Sequence, residues 1–219
     1  MSARRRLKIH EIYLSVQGES SFIGLPCVFV RTTGCPLRCS WCDTKQAFYG
    51  GQESSVEAVL EAVASYDPAA LVEVTGGEPL AQKNVLPLMA ALADAGRTVL
   101  LETSGALDIS AVDERVHIIM DLKCPDSGES ERNRWENLRH LRRERDELKL
   151  VLASRRDYEF ARDTIDERDL ASHAQLLLST VFGALEPADV VQWMLDDRLP
   201  ARFQLQLHKL IWSPEATGV

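Results

Sequence analysis

Hydrophobic and polar positions along the chain switch repeatedly between a two-residue period and a helical one. Leu7, Ile9 and Ile12 stand among polar neighbours at the start. The first strongly β-rich run is Val28-Phe29-Val30-Arg31-Thr32, and similar runs recur at 71–74, 98–102, 117–121, 148–152 and 175–180. Helical stripes separate them. Val56, Val59, Leu60 and Val63 follow Ser54 and Glu57, which are spaced as a capping box. Val85, Leu86, Met89 and Leu92 form a second stripe, which stops at Gly96, a glycine placed to sit just past the helix end. The pattern also predicts a polar helix near 131–143, helices around 157–165 and 187–195, and a last strand at 202–208. In the last of these helices Val190, Trp193 and Leu195 make the core stripe.

Strands alternating with helices signal parallel βα units. The expected fold is therefore α/β: an abbreviated, partial βα barrel of about six parallel strands, lying between Val28 and Thr180 in a single domain over 1–219. In barrels and open α/β sheets, reactive groups gather beyond the carboxyl ends of the strands. The chemistry-bearing residues fall there. A cysteine-rich loop follows the first parallel strand, Gly76-Gly77-Glu78-Pro79 the second and Glu102-Thr103-Ser104-Gly105 the third. Asp121-Leu122-Lys123 follows the fourth, and Ser179-Thr180 closes the sixth.

Composition narrows the class. At 219 residues, 45% hydrophobic and 26% charged, the chain can bury a full core without disulfides. A net charge of -8 argues against nucleic acid as the main partner, because phosphate binding needs a basic face. Arg139, Arg142, Arg143 and Arg145 stand among Glu136, Glu144, Asp146 and Glu147, which reads as a solvated helix face. The basic start at Arg4, Arg5, Arg6 and Lys8 leads into no apolar signal core, and no apolar run reaches the ~18 residues of a membrane span. A soluble, cytoplasmic protein is expected. Five cysteines, three of them in Cys35-x-x-x-Cys39-x-x-Cys42, fit a metal centre in a reducing compartment better than disulfides. Three thiolates leave one iron of a four-iron cube free to bind something else. A zinc site completed by Cys27 or His10 is the rival reading. Gly76 and Gly77 would let backbone approach a ligand closely, or form an ordinary turn. Cys27 and Cys124 otherwise read as small buried residues.

The cysteine loop, with Trp41 before its last cysteine, together with the Gly-Gly-Glu-Pro motif, resembles the radical S-adenosylmethionine superfamily. The resemblance implies a 4Fe-4S cluster on Cys35, Cys39 and Cys42, with S-adenosylmethionine completing the fourth iron. A narrower likeness runs nearly end to end. Ser15-Val16-Gln17-Gly18-Glu19, the segments 29–35, 39–44, 102–105, 203–209 and 211–214, and the terminal Gly218-Val219 resemble the 7-carboxy-7-deazaguanine synthase family. Some members carry a longer insertion between the first two cluster cysteines; this chain has the short superfamily spacing.

That resemblance implies a barrel of the radical S-adenosylmethionine type with N- and C-terminal extensions. It also implies a lyase reaction: ring contraction of 6-carboxy-5,6,7,8-tetrahydropterin to 7-carboxy-7-deazaguanine with loss of ammonia, toward queuosine and other 7-deazapurines. It implies Mg²⁺ on Thr44, cofactor contacts from Trp41, Gly76, Gly77, Glu78, Ser104, Asp121, Leu122 and Lys123, and substrate contacts from Val16, Gln17, Gly18, Glu19, Arg31, Thr75, Gln206 and His208. A guanidinium at Arg31 can fork onto a substrate carboxylate in two parallel hydrogen bonds. No side chain is assigned as a general base at the hydrogen-abstraction step. A homodimer served by a flavodoxin or ferredoxin is implied as well. The rivals are a glycyl-radical-enzyme activase, which leaves Gln17-Gly18-Glu19, Arg31 and the C-terminal likeness unexplained, and a non-catalytic zinc or iron-sulfur protein.

Overall fold

The computed structural model describes residues 6–219, so the basic residues Arg4 and Arg5 lie outside the described residues. Nine strands among them form one mixed sheet: β1 (Arg6–Val16), β2 (Pro26–Thr32), β3 (Gln52–Ser55), β4 (Leu71–Gly76), β5 (Thr98–Thr103), β6 (His117–Leu122), β7 (Glu147–Leu152), β8 (Gln175–Thr180) and β9 (Arg202–Phe203). Their order is β3-β1-β2-β4-β5-β6-β7-β8-β9, with open edges at β3 and β9. From β2 onward every pairing is parallel, and β1 runs antiparallel to both β2 and β3. The expected six parallel strands are β2 and β4 to β8, and they make an unclosed barrel wall.

Side-chain alternation gives the wall two different faces. On the outer face Val28, Val30, Val72, Val74, Val99 and Leu101 pack against Val59 and Val63 of α1 (Val56–Ala64) and Leu88, Met89 and Leu92 of α2 (Val85–Asp94). Farther along, Met120, Leu122, Leu148, Leu150 and Leu178 pack against Tyr158, Ala161 and Ile165 of α3 (Arg155–Glu167), Leu170 of α4 (Leu170–His173), and Val190 and Met194 of α5 (Pro187–Asp196). Fully burying one such side chain is worth about 1.5–3 kcal/mol, so this face carries most of the stability. The inner face is apolar only toward the amino ends of its strands, where Cys27, Phe29, Leu71, Leu100 and Ile119 cluster. Nearer the carboxyl ends it turns ionisable, with Arg31, Glu73, Glu102, Asp121 and Lys149.

Several local expectations shift. The cap of α1 is Ser55, one residue later than expected, and its Oγ accepts from the Ala58 N–H. Gly96 closes α2 as expected: at φ 79° it donates to the Ala93 carbonyl while Arg97 donates to that of Leu92. No α-helix forms over 131–143; only short 3-10 turns at Ser130–Arg132 and Trp135–His140 occur there. Side chains hold that segment instead. Asn133 bonds both backbone groups of Lys123, and Asn137 donates to the Gly105 and Leu107 carbonyls. The arginine run is likewise no solvated helix face. Arg142 grips the fully buried Asp146 and the carbonyls of Glu114 and Val116, and Arg145 binds those of Glu114 and Arg115. The strand expected at 202–208 stops at Phe203, and Leu207–Ile211 is a short helix, α6. Leu195 points outward, and the buried stripe of α5 is Val190 and Met194.

Candidate active site

The turn after β2 carries the three cysteines, all half-buried. Its root is zipped to the turn after β4: Gly77 N–H donates to the Thr32 carbonyl at 3.2 Å and Glu78 N–H to the Gly34 carbonyl at 2.7 Å. A methyl group on Gly77 would stand 2.4 Å from the Gly34 oxygen, and Gly76 has φ 155° with Thr32 equally close. Both glycines are therefore required by the packing of these two loops. On its far side the cysteine loop is tied to the segment after β6, where Ser40 N–H donates to the Ser127 carbonyl at 3.0 Å and Ser40 Oγ to that of Asp126 at 2.7 Å.

The thiols open onto a cavity of about 290 Å³ lined by the carboxyl ends of the strands. Among the described residues, no three His, Cys, Asp or Glu side chains are gathered tightly enough to share one metal ion. A zinc ion draws its thiolates to ~2.3 Å from one point, whereas a cube takes one thiolate on each of three separate irons. Cys27 cannot complete a zinc site, because it sits near the start of β2 while Cys35 follows its end. Burial pushes the Cys39 thiol up to about 11, and Lys123 pulls against that rise. A metal bound there by thiolates would therefore release protons.

Polar groups beside the thiols are short of partners. Trp41 Nε1 and Asp121 Oδ1 are buried without a hydrogen bond, and Lys123 Nζ lies 2.7 Å from Asp121 Oδ2 and 5.2 Å from the Trp41 ring centre. Burial opposes the charge of Lys123, but Asp121 and Cys39 keep its pKa above the ordinary value. Such a set fits a polar cofactor carrying amino, carboxylate and ribose groups. Glu78 behaves differently. It is fully buried and its carboxylate is consumed by Thr103 Oγ1, Ser104 N–H, Ser104 Oγ and Leu80 N–H, so it places Ser104 at the rim and does not line the cavity itself. Leu122 is also absent from the lining and belongs to the outer-face core.

The residues expected at the substrate meet in the same cavity. Val16, Gln17, Gly18, Glu19, Arg31, Thr75, Gln206 and His208 all line it, although they come from opposite ends of the chain. Gln17 spends its side chain inside the protein, donating to Glu73 and accepting from the Glu19 N–H, so it shapes the floor. Glu19 accepts from Lys149 Nζ at 2.8 Å and from Gln206 Nε2 at 2.7 Å. His208 packs onto Gly18, where any added methyl group would meet its ring at 2.2 Å. Arg31 is steadied by Glu11 at 2.8 Å and by the Tyr13 hydroxyl at 3.0 Å. Thr44 donates its hydroxyl to Asp43, which Lys209 grips at 2.7 Å. Some desolvation works against that carboxylate, yet Lys209 and Thr44 hold it down to about 2.

Sequence reasoning missed Glu73 and Lys149, and it gave Glu102 and Lys209 no role beyond their places after the third parallel strand and in the C-terminal likeness. Each is an unremarkable charge in sequence, and only strand register or the tail's return path brings it to the cavity.

Comparison with known proteins agrees with this geometry. Residues 29–127 match the radical SAM superfamily. The crystal structure of QueE from Escherichia coli superimposes with a TM-score of 0.77 at 22% identity, covering 93% of this chain and 95% of that one. The cysteine loop and the match over 29–127 mark a segment similar to radical S-adenosylmethionine proteins, a class that implies a 4Fe-4S cluster and S-adenosylmethionine, and the Escherichia coli structure shows the same fold. A 7-carboxy-7-deazaguanine synthase of Chlorobaculum tepidum is 47% identical over 100% of both chains. One from Koribacter versatilis is 42% identical over 97% of this chain and 100% of its own. The chain belongs to the 7-carboxy-7-deazaguanine synthase family.

Proposed function

We propose that this protein is a 7-carboxy-7-deazaguanine synthase, a lyase that contracts the ring of 6-carboxy-5,6,7,8-tetrahydropterin with loss of ammonia, on the route to queuosine and other 7-deazapurines. The observation that carries the reading is the meeting of Cys35, Cys39 and Cys42 with Arg31, Glu19 and His208 around one cavity. When bound, the cluster and S-adenosylmethionine supply the radical that takes a hydrogen atom from the substrate. Cys35, Cys39 and Cys42 would hold the cluster; Trp41, Gly76, Gly77, Ser104, Asp121 and Lys123 would hold S-adenosylmethionine. Among the described residues Arg31 offers the one guanidinium in the cavity, and a carboxylated pterin would dock its carboxylate there. Thr44 would give one oxygen to Mg²⁺, an ion that keeps most of its coordination for water and substrate.

The inner wall's part is to orient and to exclude water. Residues 214–219 also line the cavity, and a walled site suits a reaction passing through a radical. The reading includes one domain, a homodimer, a cytoplasmic setting and electrons from a flavodoxin or ferredoxin. None of the helices among the described residues is long and apolar enough to cross a membrane.

Anaerobic reconstitution with iron and sulfide tests the reading. The expected result is a brown protein that cleaves or cycles S-adenosylmethionine only with the pterin present, and loses its iron when Cys35, Cys39 or Cys42 is changed to Ala. A colourless protein with stoichiometric zinc and no such chemistry would end it.

A further inference from the structure

Residues 17–25 connect β1 to β2, and the neck of this turn is closed by Gln17 N–H on the Leu25 carbonyl and Gly24 N–H on that of Gln17, both at 2.8 Å. Glu19 leaves the turn for the cavity. Its neighbour Ser20 has φ 65° and is 3% exposed. Among the described residues Asp169 and Arg198 are the other non-glycines with positive φ, and both are exposed. A left-handed conformation is unfavourable for any residue with a Cβ, and it persists only where the surroundings over-determine it. Two side chains do so here. Gln204 Oε1 accepts from Ser20 N–H at 2.8 Å, and Glu147 Oε1 accepts from Ser21 N–H at 3.0 Å. Both acceptors are fixed to the sheet: Glu147 opens β7 between β6 and β8, and Gln204 donates its own N–H to the Leu178 carbonyl of β8 at 2.9 Å. Neither lines the cavity.

The chain beyond Gln204 continues the grip in reverse order. Gln206 Nε2 reaches Glu19 Oε1 at 2.7 Å, and Leu207 N–H reaches the Gly18 carbonyl at 2.9 Å. We propose that Gln204 and Glu147 are positioning residues for Glu19; this rests on the synthase reading above, in which Glu19 meets the substrate. By accepting from two successive N–H groups they hold Ser20 left-handed, and that bend aims the Glu19 carboxylate into the cavity, where it meets Lys149 at 2.8 Å. Without the acceptors Ser20 would return to an ordinary φ and Glu19 would lose its direction. Attachment of the turn to the barrel does not depend on them. Phe22 already anchors it, packed beside the inner apolar cluster and edge-on to His117.

Gln204→Met keeps the length of the side chain and removes its acceptor. In the protein without cofactors, amide hydrogen exchange at Ser20 and Ser21 should quicken about 10-fold or more in this variant while β2 and β4 exchange at their wild-type rates. In the reconstituted enzyme its KM for the pterin should rise about 10-fold with kcat held within about twofold. Adding Ser20→Gly should bring KM most of the way back, because glycine adopts a positive φ at no steric cost. A lost structural contact would not be repaired that way. Glu147→Leu should raise KM as Gln204→Met does, and Glu147→Gln, whose amide oxygen still accepts from Ser21, should recover most of that loss. Wild-type exchange or wild-type KM in Gln204→Met, or a raised KM that Ser20→Gly leaves in place, overturns the proposal. Should Gln204→Met fail to fold, the two Glu147 variants decide, and equal KM values for them overturn it. A wild type inert toward the pterin would bring down the synthase reading, and the proposal with it. An active wild type with unaffected variants would bring down the proposal alone.

Discussion

Arg31 bears the most on substrate recognition of any single side chain. Its Nε and one terminal nitrogen are pinned by Glu11 and Tyr13, which leaves its second terminal nitrogen uncommitted among the described residues and fixes the direction in which it faces. A charge-assisted hydrogen bond is worth about 1.5–3 kcal/mol, so Arg31→Ala should lower kcat/KM by about 10- to 100-fold, mostly through KM, in steady-state assays. Glu73 and Glu102 affect stability in opposite senses. Burial pushes Glu73 well above its ordinary 4.5, with Glu102 adding to the rise; burial also resists the charge of Glu102, but Lys149 holds it down to about 2. The Glu102 contribution is therefore present above pH 4.5 and is lost as pH falls toward 2. That of Glu73 is complete below 4.5 and fades as pH rises. Urea unfolding should accordingly show Glu73→Gln gaining stability relative to wild type at pH 8 but not at pH 4.5; an equal effect at both would contradict the assignment. The cysteines could be read from spacing alone. Glu73 and Lys149 could not, because they stand within two separate strands and reach the cavity only through sheet register.

Loops at the strand ends act as joined elements. The cysteine loop is shaped by the glycine turn after β4, so Gly77→Ala should disturb the cluster site without touching a cysteine. The atom in its way is a backbone carbonyl oxygen 2.4 Å off, which cannot swing aside as a side chain would. The variant should bind less iron on reconstitution and melt at a lower temperature; full iron content at wild-type melting would show that the loops can part. The six central strands and α2 were legible because their apolar periods are long and their ends carry turn residues. The helix expected at 131–143 failed for a physical reason. Asn133, Asn137 and Arg142 each offer a better partner to distant backbone groups than a helix would offer to its own.

At the scale of the whole molecule, the chain closes on itself. Leu207 N–H donates to the Gly18 carbonyl, Lys209 grips Asp43 beside Cys42, and the tail lines the cavity. Lys209→Ala should loosen that closure, raising KM several-fold and exposing the tail to limited proteolysis, while the melting temperature stays near wild type. Unchanged KM and proteolysis would show that the tail is held without this ion pair. Sequence pattern could place the tail's residues but not their return, since a contact between residues near 18 and 207 has no local signature. The most direct test of the account is a mass balance: reconstituted protein, S-adenosylmethionine, Mg²⁺, a chemical reductant and 6-carboxy-5,6,7,8-tetrahydropterin, held under anaerobic conditions. The expected products are 7-carboxy-7-deazaguanine and ammonia in equal amounts, with S-adenosylmethionine recovered after many turnovers. An intact pterin, or ammonia without the contracted ring, would contradict it.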